Sequence, residues 1–272
     1  MNIDMDSPKQ EHIPWLRRIW QEAFGDEDSF LDLFFSVGFS PDRCLCAWRG
    51  DIPVAAIYWF DATVRGAKVA YLYALATQET YRGFGYARQL MDATHDRLRL
   101  KGYQAALLVP GSKSLGKWYQ RMGYEYCCGN VSFCCDTPGE PVALRPVTAY
   151  EYGQLRKQYL PEGSVEQDVT ALEFLAAQSQ LYAGENFLMS CGRNAFQFPI
   201  VEEFLGDLSA VPGILGALKE PGAVFLAPMA VTENAKSCFS PKWEERNLLL
   251  PMFRPLTDPA MTPPAYFAFP FN

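Results

Sequence analysis

The chain has 272 residues, 49% of them hydrophobic and 20% charged, enough for one or two globular domains with a substantial core. Its net charge of −7 is uneven: 15 Lys+Arg stand against 16 Asp+Glu up to Gly139 and 9 against 15 beyond it, with no basic cluster to track a nucleic-acid backbone. No apolar run approaches the roughly 18 residues of a membrane span, and the acidic start MNIDMDSPKQEH is no signal peptide, so a cytoplasmic protein without nucleic-acid or membrane partners is expected.

A first helix is expected from about Pro14 to Phe24, where Trp15, Ile19 and Ala23 recur on one side. A second, rich in Phe and Leu, is expected through Ser29 to Ser36. Cys44 to Trp48 and Val54 to Phe60 read as strands, and Arg49-Gly50-Asp51 between them suits a hairpin turn better than an adhesion motif. Val69 to Thr77 reads as the next strand. A helix from Arg82 to about Lys101 would bury Ala87, Leu90, Met91, Thr94 and Leu98 and end at Gly102, with His95 on the side away from that stripe. Ala105 to Val109 reads as a strand, and Ser112 to Met122 as a short helix closed by Gly123.

Ala70 to Tyr124 is the most informative stretch. Its apolar run YLYALAT leads through Arg82-Gly83-Phe84-Gly85-Tyr86-Ala87 into a helix. A strand that turns through a glycine-rich bend into a helix presents bare backbone N–H groups to a phosphate. Two other glycine loops do not fit. From Gly83 the chain reads G-F-G-Y-A-R, so Arg88 stands where a dinucleotide fingerprint needs its last glycine, and no Gly-Lys-Ser/Thr ending marks a P-loop.

Arg82-x-x-Gly85-x-Ala87 at the strand-to-helix junction, followed by Tyr119 four residues before Gly123-Tyr124, resembles the GNAT superfamily of acetyl-CoA-dependent N-acyltransferases. The resemblance covers roughly Pro14 to Cys135. It implies an α/β fold on a mixed sheet, with acetyl-CoA as co-substrate, an amine as acceptor and no metal. Arg82, Gly83, Phe84, Gly85, Tyr86 and Ala87 would hold the pyrophosphate through backbone N–H groups. Leu75, Ala76 and Thr77 would bind the pantetheine arm like an added strand, one N–H polarising the thioester carbonyl. Ser112 stands where many members have an asparagine that contacts the cofactor arm. Tyr119 would be general acid to the departing thiolate.

The base stays open. His12 and His95 are poorly placed, and Val69-Ala-Tyr-Leu-Tyr holds no carboxylate where some members use a glutamate. Glu79 falls after the strand. Asp61, Tyr73, an ordered water and the C-terminal carboxylate at Asn272 remain candidates. Three functions also remain: acetylation of a small amine, acyl transfer to a peptide or protein amine, and acyl-CoA binding without catalysis. Acceptor identity, acyl length and oligomeric state are not encoded legibly.

Cys127-Cys128 and Cys134-Cys135 read as parts of two strands around a Gly129-Asn130 turn. Adjacent strand residues face opposite ways, so neither pair chelates an ion easily, and buried reduced thiols are expected. Cys135-Asp-Thr-Pro-Gly-Glu-Pro141 reads as a linker, dividing the chain into domains 1–137 and 142–272. Beyond it a strand-then-helix start is followed by helices near Glu166 to Ser179 and Ile200 to Leu218, the strand Gly222 to Pro228 and a final strand in YFAFPF. This is expected to be a degenerate second GNAT-like half, as in bacterial tandem proteins. Phe196-Gln-Phe-Pro199 leads into its helix with no phosphate loop, so one acyl-CoA site per chain is expected. The second half would shape the acceptor pocket, stabilise the first half or mediate association.

Overall fold

The structure, a computed structural model, describes residues 3–194, 196–228 and 250–268. In chain order its first elements are β1 (Asp4–Asp6), α1 (Ile13–Phe24), α2 (Asp28–Leu33), β2 (Cys44–Arg49), β3 (Ile52–Val64), β4 (Ala67–Thr77), α3 (Tyr86–Leu100) and β5 (Ala105–Leu108). Next come α4 (Lys113–Gln120), β6 (Glu125–Tyr126), β7 (Asn130–Cys135), β8 (Arg145–Pro146), α5 (Ala149–Tyr159), β9 (Val165–Gln167) and α6 (Val169–Ala176). The remainder holds β10 (Gln180–Ala183), β11 (Phe187–Arg193), β12 (Pro199–Gly206), α7 (Val211–Leu218), β13 (Ala223–Pro228) and β14 (Met252–Pro255).

The chain folds as two compact units, one built from the chain up to Leu108 with Phe253–Met261, the other from Val109–Met252 and the chain from Thr262 onward. These units are divided differently from the expected domains. The segment bearing α4 and β7 groups with the later strands, and a short C-terminal stretch returns to the first unit.

In the first unit the strands run in the order β1-β2-β3-β4-β5-β14. β2, β3 and β4 form an antiparallel meander, and β5 lies parallel to β4. Val54 through Phe60 of β3 are all buried, so both faces of the sheet are covered there. α3 makes the crossover between the parallel strands and buries Leu90, Met91, Thr94, Leu98 and also His95. That corrects the expectation that His95 faces away. Its Nδ1 lies 2.8 Å from an Arg254 guanidinium nitrogen. Burial, with Arg254, Arg99 and Arg88 nearby, lowers its pKa to about 3. α3 also begins later than expected, at Tyr86, because Gly83 and Gly85 before it take φ +83° and +80°, outside the helical region.

The second unit holds a sheet in the order β7-β13-β12-β11-β10-β8. Phe133, Phe187, Phe204 and Phe225 fill one core cluster. β10, β11 and β12 form an antiparallel meander, and α7 then crosses to β13, parallel to β12. The meander, helix and parallel strand of the first unit are thus repeated, including a register shift in the third strand of each meander.

Several expectations for this half need correction. The helix expected over 166–179 is split: β9 comes first, then α6, whose first turn is capped by Asp168 accepting from the Ala171 N–H at 2.9 Å. The helix expected from Ile200 is the strand β12, and only Val211–Leu218 is helical. Pro199 therefore opens a strand, which proline tolerates at a first position. Cys127 and Cys128 lie outside the strands, and β7 pairs with β13 rather than with a strand before the turn. In YFAFPF, Tyr266 to Ala268 are buried without strand pairing, and the rest lies outside the described residues.

Candidate functional site

The site is built on β4 of the first unit. On its β3 side, Ala56 pairs with Ala76 and Tyr58 with Tyr73, leaving Ala74 and Leu75 together opposite Ile57. This is a β-bulge, and Ala74 holds φ +50° in it. On the other side β5 pairs with β4 only at Val69, Ala70 and Tyr71. No β5 partner is registered for Leu72 to Thr77 among the described residues. β5 ends at Leu108, and this stretch of β4 has an edge whose N–H and C=O groups can take an extended ligand by β-addition.

That edge leads into the glycine loop. The Gln78 N–H donates to the Val54 carbonyl at 2.9 Å, and a single turn over Glu79–Tyr81 brings the chain to Arg82. Gly83 and Gly85 then turn the chain into the first turn of α3, whose N-cap, Gly85, has no side-chain cap. A Cβ on Gly83 would meet nothing within 4 Å, and one on Gly85 only the Gln89 amide nitrogen at 3.8 Å. The space beside both glycines is open, and the first N–H groups of α3 carry the positive end of a 15-residue helix. Phe84 and Tyr86 stack beside it at 6.0 Å.

The Arg82 side chain braces the loop. Its Nε donates to the Thr77 carbonyl at 3.1 Å and an Nη to the Glu22 carbonyl at 3.2 Å. The guanidinium thus ties the loop to the strand before it and to the end of α1. Glu22 adds to this clamp, its carboxylate accepting from the Glu79 N–H at 3.4 Å and from Arg18 Nε at 2.9 Å.

Leu75 to Thr77 and Arg82 to Ala87 are therefore contiguous on the first unit. Ser112 and Tyr119 lie on the second. Ser112 is the N-cap of α4, its hydroxyl accepting from the Leu115 N–H at 3.2 Å. Tyr119 is buried on the same helix, 4.9 Å from the Trp118 ring and 5.8 Å from Tyr124, and burial raises its pKa to about 12.

Of the base candidates, Asp61 accepts from the Tyr103 hydroxyl, which also takes the Trp59 indole N–H at 3.1 Å. Its register partner is Ala70, seven residues up β4 from Thr77, or roughly 20 Å at strand rise. Tyr73 is packed between Trp20, Phe34 and Phe60, its pKa pushed well above the usual phenol range by burial. His12 accepts the Lys9 N–H and meets Trp48 edge-on. Asn272 lies outside the described residues. Among the described residues no cluster of His, Cys, Asp or Glu could hold a metal ion, and the described cysteines are free thiols.

Residues 4–127 match the family model of the acetyltransferase (GNAT) domain. They form a GNAT acetyltransferase domain. The GNAT fold extends further, since solved structures resemble nearly the whole chain. One is a GCN5-related N-acetyltransferase from Kribbella flavida, at 16% identity and TM-score 0.72, with 93% of this chain and 71% of that one covered. A GCN5-related N-acetyltransferase from Anabaena variabilis gives 15% identity and TM-score 0.74 over 94% and 73%. Eis1 from Mycobacterium abscessus gives 12% and 0.67 over 93% and 74%. At these identities the likeness is one of fold. No curated protein matches the sequence.

The repeated topology also relocates the missing second loop. The place in the second unit that corresponds to Gln78–Gly85 is the turn between β12 and α7, Asp207 to Ala210, not Phe196 to Pro199. No glycine pair lies there. The Asp207 carboxylate accepts the Ser209 N–H at 2.9 Å, an interaction that holds its pKa low. A fixed negative charge thus occupies the turn where a phosphate would need donors.

Proposed function

We propose that the chain is an N-acetyltransferase that moves the acetyl group of acetyl-CoA to the amine of a small molecule, using one acyl-CoA site on the first unit. The observation that carries this reading is the open edge of β4 running into a loop whose two left-handed glycines bare the N-terminus of α3. An arm that can pair with a strand and ends in a pyrophosphate fits both parts. Gly83 to Ala87 offer their N–H groups to the pyrophosphate, and Leu75 to Thr77 pair with the pantetheine amides. A carboxylate in the equivalent turn of the second unit supports a single site and a degenerate second half.

The reaction is a direct attack. The neutral amine nitrogen bonds to the thioester carbon, and the carbonyl electron pair moves onto oxygen. A backbone N–H at the β4 bulge, Leu75 foremost, donates to that oxyanion. Collapse of the tetrahedral species restores the carbonyl and breaks the C–S bond. Tyr119 acts on the leaving sulfur. A thiol near the usual ~8.5 is a stronger acid than a phenol at about 12, so full transfer from Tyr119 is uphill by about 5 kcal/mol. Tyr119 therefore serves by donating a hydrogen bond to the developing thiolate, and the proton that reaches sulfur comes from the new ammonium through solvent. The cysteines support a reducing, cytoplasmic setting.

The test is consumption of acetyl-CoA, followed by loss of thioester absorbance, with a panel of primary amines. Amine-dependent consumption that yields an N-acetyl product by mass spectrometry is expected. Binding of acetyl-CoA with no amine-dependent loss would favour a non-catalytic binder.

A further inference from the structure

The corner between α1 and α2 carries a carboxylate in a setting that the reaction above does not use. Asp26, half-buried, accepts the Trp20 indole N–H at 2.7 Å. Trp20 lies on the last turns of α1 and is itself buried. Its ring stands 5.6 Å from Tyr73, the β4 residue just before the bulge. The Asp26 carboxylate is near enough to Tyr73 to add to the burial that raises that phenol's pKa. The clamp of Glu22 and Arg82 ties the end of the same helix to the strand end and the loop. Asp26 is therefore held beside the part of β4 where the acyl group is proposed to lie.

Around it the surface is aromatic. Phe24, 48% exposed, lies 5.7 Å from Trp20, Phe30 6.1 Å and Phe35 6.4 Å, the latter two half-buried. Phe35 reaches Phe39 at 5.2 Å. Large rings left partly open next to a fixed carboxylate suit a ligand with a positive head and an apolar body. The hydrogen bond to the indole uses one carboxylate oxygen and leaves the other to receive an ammonium. The ring faces add cation–π and apolar contact.

We infer that Asp26 is a specificity-determining residue that receives the acceptor's ammonium before that nitrogen gives up a proton to solvent and attacks as the neutral amine, and that the acceptor is a cationic primary amine with an aromatic body, lying on Phe24, Phe30 and Phe35. The inference rests on the N-acetyltransferase reading. Zwitterionic and anionic amines are disfavoured at this corner, where Glu27, Asp28 and Asp32 add negative charge and Arg17 pairs with Asp28 and Asp32.

The probes are phenethylamine, n-butylamine and glycine with the full chain, as wild type, Asp26→Asn and Asp26→Glu. Asparagine keeps an acceptor for the Trp20 indole while removing the charge. Phenethylamine is expected to exceed n-butylamine by at least about tenfold in kcat/KM, with glycine poorest. Asp26→Asn should lower kcat/KM for phenethylamine by about 10–100-fold, chiefly through KM, with acetyl-CoA affinity within about twofold of wild type and with Asp26→Glu restoring part of the loss. Saturation-transfer NMR of phenethylamine should show binding to wild type that weakens in Asp26→Asn. Equal use of the two cationic amines, or an unchanged KM in Asp26→Asn, overturns the inference. So does acetyl-CoA binding with neither turnover nor NMR binding of phenethylamine. Failure of the wild type to bind acetyl-CoA instead removes the underlying reading, and the two failures are told apart by that titration.

Discussion

Replacing Gly85 with alanine isolates the backbone contribution of the loop. Gly85 sits at φ +80° and ψ +8° as the N-cap of α3. An added Cβ meets only the end of Gln89 at 3.8 Å, so there is no steric clash to relieve. What remains is the intrinsic cost of the left-handed region for an L side chain, about 1–2 kcal/mol. If the loop holds its shape, this cost appears as lost stability. If the loop relaxes to negative φ, the first N–H groups of α3 swing off the phosphate, and acetyl-CoA affinity falls by about 5–30-fold for the same free energy. Thermal unfolding and calorimetric titration on one preparation account for both routes. The reasoning is refuted if Gly85→Ala changes neither, because a left-handed glycine at a phosphate cradle must show its cost in one of them.

Tyr119→Phe is expected to lower kcat by about 10–100-fold, the worth of a hydrogen bond to a charged atom, with acetyl-CoA affinity nearly unchanged. With a phenol pKa near 12, no wild-type limb below pH 10 should be traceable to Tyr119, and a limb that vanishes in Tyr119→Phe contradicts that. Glu203 is fully buried and takes hydrogen bonds from Arg156 and Tyr152 at 2.8–3.2 Å. Glu203→Gln removes the carboxylate charge that faces the buried Arg156 guanidinium and should destabilise by about 3–5 kcal/mol, lowering Tm by about 6–20 °C; a loss under about 1 kcal/mol in denaturant unfolding would contradict it. His95 has a folded pKa of about 3, against about 6.5 unfolded. The unfolded state takes up the proton first, so stability is complete above pH 6.5 and falls by up to about 1.4 kcal/mol per pH unit below it. His95→Gln should flatten that slope, as urea unfolding between pH 5 and 7 would report.

Where local chemistry decides the backbone, the sequence was legible. Arg49-Gly50-Asp51 could only turn, and the strand, glycine loop and helix from Val69 to Lys101 follow from an apolar run, two glycines and a 3.6-residue stripe. The left-handed turn at Gly83 and Gly85 was likewise readable. The errors have specific physical sources. His95 lies within the same arc as Thr94 and Leu98, and its burial depends on Arg254, which lies 159 residues away and is brought back by β14. Ile200 to Leu218 is mostly apolar, its charges confined to Glu202, Glu203 and Asp207, and periodicity does not separate a buried strand from a helix in such a run. Only Gly206 and the Asp207 turn divide it. That mistake also put the missing phosphate loop in the wrong turn. Asp26 was missed because a lone aspartate after Gly25 carries no signal; its meaning comes from Trp20 and Tyr73, brought together by packing. The clamp made by Arg82 and Glu22 was hidden for the same reason.

The central claim is a single acyl-CoA site at Arg82 to Ala87, and calorimetric titration of the full chain with acetyl-CoA tests it most directly, with free CoA and NADH as comparators. The account predicts saturable one-to-one binding of acetyl-CoA and CoA, none of NADH, and loss of binding in Gly83→Asp, which puts in the cradle the kind of charge that Asp207 holds in the second unit. No binding at millimolar acetyl-CoA, or a stoichiometry of two, would contradict it.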